Sequence, residues 1–313
     1  MAGVVSLHHE IYHLDEVDST SSWLRRRLAE RPLPSFSYVT ARFQTGGRGQ
    51  RGNSWESQAG KNLLLSMVFR PESMITPRRQ FLISKAVTVA VAEAVEGLLR
   101  SAGTHPPVEI KWPNDIYIAD RKIAGILIEN SIETAVDMEP RIGHTTIGIG
   151  LNVNQREFTS PAPNPGSLIQ FSGRSISLLT AESVLVECLA HSLRRLDAMI
   201  ATDATTALDS EYRRRLWRAE GYYLWRALIP SLAPAPTAQR LSAGQACTDY
   251  ASVADAETSQ ADNDIFEAAI VSVADDGPLT LRLRSGLLRT FAFKEITPIL
   301  SPDQGMRPQV MQS

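Results

Sequence analysis

The chain has 313 residues, 32 Lys and Arg against 34 Asp and Glu, a net charge of -2 and 43% hydrophobic residues, enough for a sizeable core in two domains. That balance gives no general attraction to DNA or to an anionic membrane, so any anion site must be local. Two cysteines, Cys188 and Cys247, are too few for a disulfide framework and too far apart for a zinc pair; with no leader pattern or membrane-length apolar run, they predict a soluble cytoplasmic protein.

From the N-terminus, residues 8–17 alternate polar and apolar side chains and predict an opening strand. Asp18-Ser-Thr-Ser-Ser22 supplies capping groups for a helix through Trp23, Leu24 and Leu28, which Pro32 and Pro34 end. Residues 36–40 predict a strand feeding the densest stretch of the chain, Thr40-Ala-Arg-Phe-Gln-Thr-Gly-Gly-Arg-Gly-Gln-Arg-Gly-Asn-Ser-Trp-Glu56. Its glycines let backbone approach a ligand with no side chain in the way. Arg48 and Arg51 offer planar forks of donors suited to phosphate or carboxylate, and Trp55 offers a flat face to a nucleobase. Gly47-x-Gly-x-x-Gly52 fits the dinucleotide fingerprint only formally, because a helix must open directly behind it. Instead a loop leads into the apolar run 63–69, which predicts a strand. A glycine-rich surface loop with solvated arginines has the same composition, so neighbouring motifs must decide.

Thr76-Pro77 places a cap and a proline at the start of a helix reaching about residue 99. Its apolar residues Leu82, Ala86, Val89, Ala90, Val95 and Leu98 wrap most of its circumference and predict burial between layers. Residues 108–130 predict two strands joined across Ala119-Asp-Arg121, with Pro113 marking a bulge or an edge. Lys111, Asn114, Asp115 and Lys122 interrupt the apolar pattern, and Trp112-Pro-Asn-Asp115 is unusual for a solvated hairpin. Gly125 lies where a ligand could rest against the sheet. In residues 144–154, Ile147, Ile149 and Leu151 alternate with Gly148 and Gly150, so one strand face is apolar and the other is bare backbone. Bare backbone admits a flat ligand or a closely packed helix.

Residues 180–223 predict two helices: one capped by Thr180 with Val184, Leu185, Cys188, Leu189 and Leu196 on one face, and one containing Tyr212, Leu216 and Trp217. Arg194-Arg195 and Arg213-Arg-Arg215 are solvated helix faces in this reading, not nucleic-acid contacts. Residues 222–229 predict a strand, and 232–264, rich in Ala, Pro, Ser, Thr and Asp, a mobile insertion. Short strands over 266–274, 279–284, 287–293 and 296–300 predict a small antiparallel barrel, and the tail 302–313 is expected to be disordered.

Four motif regions in this order, Asp18-Ser-Thr-Ser21, Gly47-Arg-Gly-Gln-Arg-Gly52, Lys111-Trp-Pro-Asn-Asp115 with Arg121-Lys-Ile-Ala-Gly125, and Gly148-x-Gly-x-Asn152, make the chain resemble the biotin protein ligases. The resemblance implies an α+β fold: a mixed sheet with helices, like the class II aminoacyl-tRNA synthetase core, over residues 1–220, then an SH3-like barrel over 221–301. It implies that biotin and ATP form biotinyl-5'-AMP, with Mg²⁺ bound, and that the biotinyl group passes to one lysine of a biotin carboxyl carrier protein. With no room for a helix-turn-helix ahead of residue 18, the expected protein binds no operator DNA and is a monomer or weak homodimer.

The same resemblance implies residue roles. Ser19, Thr20 and Gln44 would hydrogen-bond the neutral ureido ring of biotin, with Gly47 and Gly125 beside it. Arg48 and Lys122 would bring the biotin carboxylate and the α-phosphate together, and Asp115 would orient the acceptor lysine and take its proton. Trp55 would stack on adenine, with Gln50, Arg51, Lys111, Asn114 and Asn152 around the nucleotide. Many relatives carry arginine where this chain has Gln50, so the expectation here is a rearranged loop or a more readily released adenylate. Lipoate or octanoate ligation uses a related fold, and a non-catalytic module that binds nucleotide or peptide remains a reading of a different class.

Overall fold

A computed structural model describes residues 9–50, 53–134, 139–159, 164–229 and 264–299. The chain divides into two units, Met1–Trp217 and Arg218–Ser313. In the first, the strands are β1 (Ile11–Val17), β2 (Tyr38–Gln44), β3 (Leu63–Phe69), β4 (Glu109–Lys111), β5 (Asp115–Ile118), β6 (Arg121–Glu133) and β7 (Arg141–Leu151). They form one seven-stranded sheet in the order β1-β2-β3-β7-β6-β5-β4. Only β1 and β2 run parallel; the other neighbours are antiparallel, which gives the mixed sheet expected.

Register fixes what each face carries, because paired residues point to the same side. One set of cross-strand rows reads Leu65, Ile149, Ile126 and Met67, Ile147, Ile128. This apolar face lies under α2 (Phe81–Ser101) and α4 (Leu178–Ala201), and α2 buries Leu82, Ala86, Val89, Ala90, Val95 and Leu98 as its pattern requires. The opposite face reads Leu64, Gly150, Gly125, Asp115; Ser66, Gly148, Leu127; and Val68, Thr146, Glu129. On that side α1 (Thr20–Glu30) packs Leu24 against Val39 and Val68. Polar and bare positions are thus gathered on one face.

Four expectations are corrected. Thr76-Pro77 opens only a 3-10 turn, Pro77–Arg79, and Thr76 makes no side-chain cap; the α-helix starts at Phe81, after i→i+3 bonds have tightened the turn. Ser177, not Thr180, caps α4: the Thr180 N–H is itself an orphan of the first turn and donates to Ser177 Oγ at 3.4 Å. Residues 108–118 are not one strand. Trp112, the cis-linked Pro113 and Asn114 turn the chain between β4 and β5, pairing Lys111 with Asp115, because proline has no N–H to give a ladder. Leu216 and Trp217 fall outside α5 (Thr206–Arg214): Ile110 N–H donates to Arg215 O at 2.6 Å and Trp217 N–H to Ile110 O at 2.8 Å, so the chain straightens beside β4. A short helix, α3 (Leu168–Ser172), was not foreseen.

In the second unit, β8 (Tyr223–Ala227), β9 (Ile265–Val273), β10 (Leu279–Leu283), β11 (Leu288–Phe291) and β12 (Ile296–Pro298) make an antiparallel sheet in the order β11-β10-β9-β8-β12. Trp225, Ala268, Leu279, Leu281, Phe291 and Ile296 form its buried side, and Trp225 Nε1 donates to Ala268 O at 3.2 Å. This agrees with a small C-terminal β-module. Nearly all of the expected insertion (232–263) and the whole tail (302–313) lie outside the described residues, as does Cys247. Among the described residues, no helix is long and apolar enough to cross a membrane.

Lys85 on α2 is 2% exposed, with Nζ 2.6 Å from Asp209 Oδ1 on α5. Removing the partner of a buried charge costs more than replacing the charge with an apolar isostere. In urea unfolding, Asp209→Ala is expected to lower stability by about 2–3 kcal/mol and Lys85→Met to change it by less than about 1 kcal/mol.

Candidate active site

The site begins at the N-terminus of α1, where non-helical Ser19 caps the helix by accepting the Ser22 N–H. The next residues face the sheet. Thr20 donates its N–H (2.7 Å) and its hydroxyl (3.0 Å) to Gln44 Oε1 at the end of β2. Ser66 Oγ donates to Thr20 Oγ1 at 2.9 Å and lies 3.0 Å from Ser21 Oγ. Helix and sheet meet this closely because Gly148 has no side chain; a methyl there would come within 2.3 Å of Ser21 Oγ. The result is a neutral cluster of three hydroxyls and an amide.

The glycine loop is a narrow hairpin flap. Its root is tied to the end of β1 by Thr45 N–H to Val17 O (2.9 Å) and Gly46 N–H to Asp18 O (2.8 Å). Its stem closes through Gly49 N–H to Asn53 O (2.6 Å), Trp55 N–H to Gly47 O (2.9 Å) and a bridge between Arg48 and Ser54. Gly47 must be glycine here, since a Cβ would lie 2.5 Å from the Trp55 carbonyl oxygen and 3.0 Å from Gln44 Nε2. Gln50 is near the tip; Arg51 and Gly52 lie outside the described residues. Beyond the stem, Glu56 Oε1 accepts from Thr159 N and Oγ1, both at 3.0 Å, and buried Asn62 accepts from Val153 N–H at 3.1 Å. The flap is therefore anchored at both ends.

Two side chains of the stem reach down to the sheet. The Trp55 indole lies on the backbone of β6 and β7: methyls at Gly125 and Gly150 would come within 2.7 and 2.3 Å of its ring. Its Nε1 is buried with no hydrogen-bond partner among the described residues. The flat group admitted by this bare face is thus the protein's own. Arg48 instead reaches Glu129 Oε1 (Nη2, 3.3 Å) and Ser22 Oγ (Nη1, 3.4 Å). Beside the indole, Lys122 Nζ is 2.7 Å from Asp115 Oδ1 and 5.6 Å from the Trp55 ring centroid.

Arg48 and Lys122 consequently address one surface. Glu129 and Gly125 are four residues apart on the same side of β6, roughly 13 Å, and Trp55 stands between the two cations. Ser19, Thr20, Gln44, Gly47, Arg48, Trp55, Asp115, Lys122 and Gly125 all gather around this face.

Three other candidates are engaged in the scaffold at its margin. Lys111 Nζ is 3.1 Å from Tyr117 Oη and lies over the Tyr117 and Trp217 rings; burial, with the nearby Asp115 and Asp120 carboxylates, pushes the Tyr117 phenol pKa upward. Asn114 is tied to β6, its Nδ2 donating to the Ile126 carbonyl and its main-chain carbonyl accepting the Ile126 N–H at 3.2 Å. Asn152 Nδ2 donates to Gly166 O at 2.9 Å, while its Oδ1 is buried without a partner among the described residues. Sequence reading missed Ser66 and Glu129. Ser66 was signalled as a polar residue inside the apolar strand Leu63–Phe69, and Glu129 as a charge directly after the apolar run from Ile123 to Ile128.

The chemistry available is specific: neutral donors and acceptors with the Arg48–Glu129 pair at the α1 end, Lys122 and Asp115 at the other, and the Trp55 indole between them under the flap. Comparison with known proteins points the same way. Residues 14–152 match the biotin/lipoate A/B protein ligase family. The chain is 34% identical over 181 residues to the bifunctional ligase/repressor BirA of Escherichia coli (strain K12), covering 58% of this chain and 52% of that protein. It is 33% identical over 136 residues to biotin--[acetyl-CoA-carboxylase] ligase of Paracoccus denitrificans, covering 44% and 50%. It thus spans about half the length of the curated relatives it matches. In fold it is similar to the biotin protein ligase from Aquifex aeolicus in complex with biotin and ATP, with a TM-score of 0.61 at 19% identity over 93% of this chain and 99% of that one.

Because Trp55 rests on bare backbone, Gly150→Ala should lift the indole and the stem. Deuterium uptake of residues 47–55 is expected to rise at least severalfold. Gly46→Ala, whose methyl meets only ordinary contact at 3.5 Å, should leave uptake unchanged.

Proposed function

We infer from residues 14–152, which match the biotin/lipoate A/B protein ligase family, that this chain is a biotin protein ligase. The carboxylate of biotin attacks the α-phosphorus of ATP, the bond to pyrophosphate breaks, and biotinyl-5'-AMP forms. The amine of a carrier lysine then attacks the acyl carbon and AMP leaves. The observation that carries this reading is the polarity of one sheet face: a neutral hydroxyl and amide cluster at α1, and a lysine–aspartate pair beside bare Gly125, both under a glycine flap.

A ureido ring is uncharged and needs paired donors and acceptors, which Ser19, Thr20 and Gln44 supply. Two anions must meet for adenylation, and a cation at their junction offsets the repulsion. Lys122 is assigned that work first, steered by Asp115 at 2.7 Å; Arg48 reaches the same anions only by leaving Glu129. Gly47 and Gly125 leave room for the biotin chain, and Trp55 must rise from Gly125 and Gly150 before a ligand lies against that backbone. Once raised, its ring covers adenine, with Gln50 and Arg51 toward the phosphates and Lys111, Asn114 and Asn152 along the nucleotide's margin. After adenylate formation, Asp115 orients the acceptor lysine and takes its proton, because an ammonium cannot attack.

Magnesium enters this reading only with ATP. Among the described residues no group of three or more His, Cys, Asp or Glu side chains could hold a metal ion. The proposed acceptor is a biotin carboxyl carrier domain of acetyl-CoA carboxylase type, in the cytoplasm, without operator DNA and with the enzyme a monomer or weak dimer. The proposed organisation is a catalytic domain over 1–220 and an SH3-like module over 221–301. A lipoate or octanoate substrate is disfavoured because a long aliphatic chain has no polar group to engage the hydroxyl and amide cluster.

Biotin-dependent exchange of labelled pyrophosphate into ATP tests the reading; absence of exchange with biotin, or exchange driven by lipoate instead, would overturn it. Lys122→Met is expected to lower kcat/KM for exchange by about 100-fold or more, the scale of losing one electrostatic stabiliser. Gln50→Arg is expected to reduce leakage of free biotinyl-5'-AMP; equal leakage from both proteins would remove a role for Gln50.

A further inference from the structure

Glu129 has no role in the reaction as described, yet it stands at the centre of the flap's electrostatics. It lies on the ligand face of β6, opposite Thr146. Its Oε1 is 3.3 Å from Arg48 Nη2 on the flap and 3.6 Å from Arg25 Nη1 on α1. Arg48 spends its other terminal nitrogen on Ser22 Oγ, also on α1. One guanidinium therefore joins three elements: flap stem, helix and sheet. It does so on the side of the stem away from Trp55, which holds the other side down on Gly125 and Gly150.

We propose that Glu129 is a positioning residue: its carboxylate keeps Arg48 as a clasp that holds the flap stem closed over the ligand, leaving the joining of the two anions to Lys122. This rests on the ligase reading for what the clasp retains, but the clasp itself is a property of the protein without ligands. Three features favour a standing clasp over a transient partner. Both terminal nitrogens of Arg48 are occupied by groups on rigid elements, so release forfeits two bonds at once. Arg25 approaches the same oxygen from α1, which steadies the Glu129 carboxylate and holds its charge in place. Moreover, Arg48 is locked at its backbone by the bridge to Ser54, so its side chain moves only if it abandons Glu129 or if the whole stem lifts.

A clasp differs in its consequences from a parking place, in which Glu129 merely holds Arg48 until an anion takes it. A clasp loosens when its charge is removed; a parking place, once removed, frees Arg48 for the ligand. In the full chain, Glu129→Gln is expected to release biotinyl-5'-AMP about three- to tenfold faster, the scale of one partly exposed ion pair, while the single-turnover rate of adenylate formation stays within about twofold. Deuterium uptake over residues 45–50 in the ligand-free protein should rise in parallel. Ser22→Ala, which removes Arg48's second acceptor without disturbing a buried charge, should move both readouts in the same direction and serves if Glu129→Gln folds poorly. Slower release, tighter binding of biotin and ATP, or unchanged uptake in the variants would overturn the clasp. Failure of the ligase reading would look different: wild-type protein would lack biotin-dependent exchange, and the uptake comparison would still decide whether Glu129 holds the flap.

Discussion

The structure depends on three places where the central strands carry no side chain. At Gly148 the first turn of α1 comes down until a hydroxyl would collide with any methyl, and at Gly125 and Gly150 an indole lies flat on the sheet. A single Cβ at any of them would hold helix or flap away from the surface it serves. The same rows, read on the other side of the sheet, are Ile126, Ile147, Ile149 and Ala124, packed beneath long helices. Alternation with period two therefore serves two ends: one strand buries its isoleucines in a core and presents bare peptide to a helix and an indole.

Among the described residues, the principal charges on this face are paired. Lys122 has Asp115, and Arg48 has Glu129, itself shared with Arg25. Arg26 binds Asp18 through two bonds of 2.8 Å and holds that carboxyl down at about 2, while the Asp18 backbone carries the flap root. Pairing keeps each cation oriented without leaving unbalanced charge against a low-dielectric sheet. An anion arriving at either cation would compete with a carboxylate already in place.

Much of this was legible in the residues. The strand Leu63–Phe69, the alternation in β7 and the capping cluster ahead of α1 all reflect local patterns that tertiary structure had no reason to override. The misses have a common cause. Local propensity places Thr76, Thr180 and the span through Leu216, whereas the structure settles them by where a backbone N–H finds its acceptor, and for Trp217 that acceptor lies over a hundred residues away on β4. Register was the other hidden quantity. Nothing local says that Glu129 shares a face with Gly125, or that Ser66 sits beside Thr20, until the strands are paired.

β1 and β2 are the one parallel pair, and that choice has a consequence for how the chain tolerates change. Parallel neighbours end on the same side, so the helix cap at Ser19 and the flap root at Thr45 emerge together although twenty-six positions separate them. The return connection, residues 31–37, adjoins the opposite rim of the sheet. Length variation there is insulated from the helix cap and the flap root, whereas even a one-residue insertion between Gln44 and Gly47 would shear the flap away from the helix it is tied to.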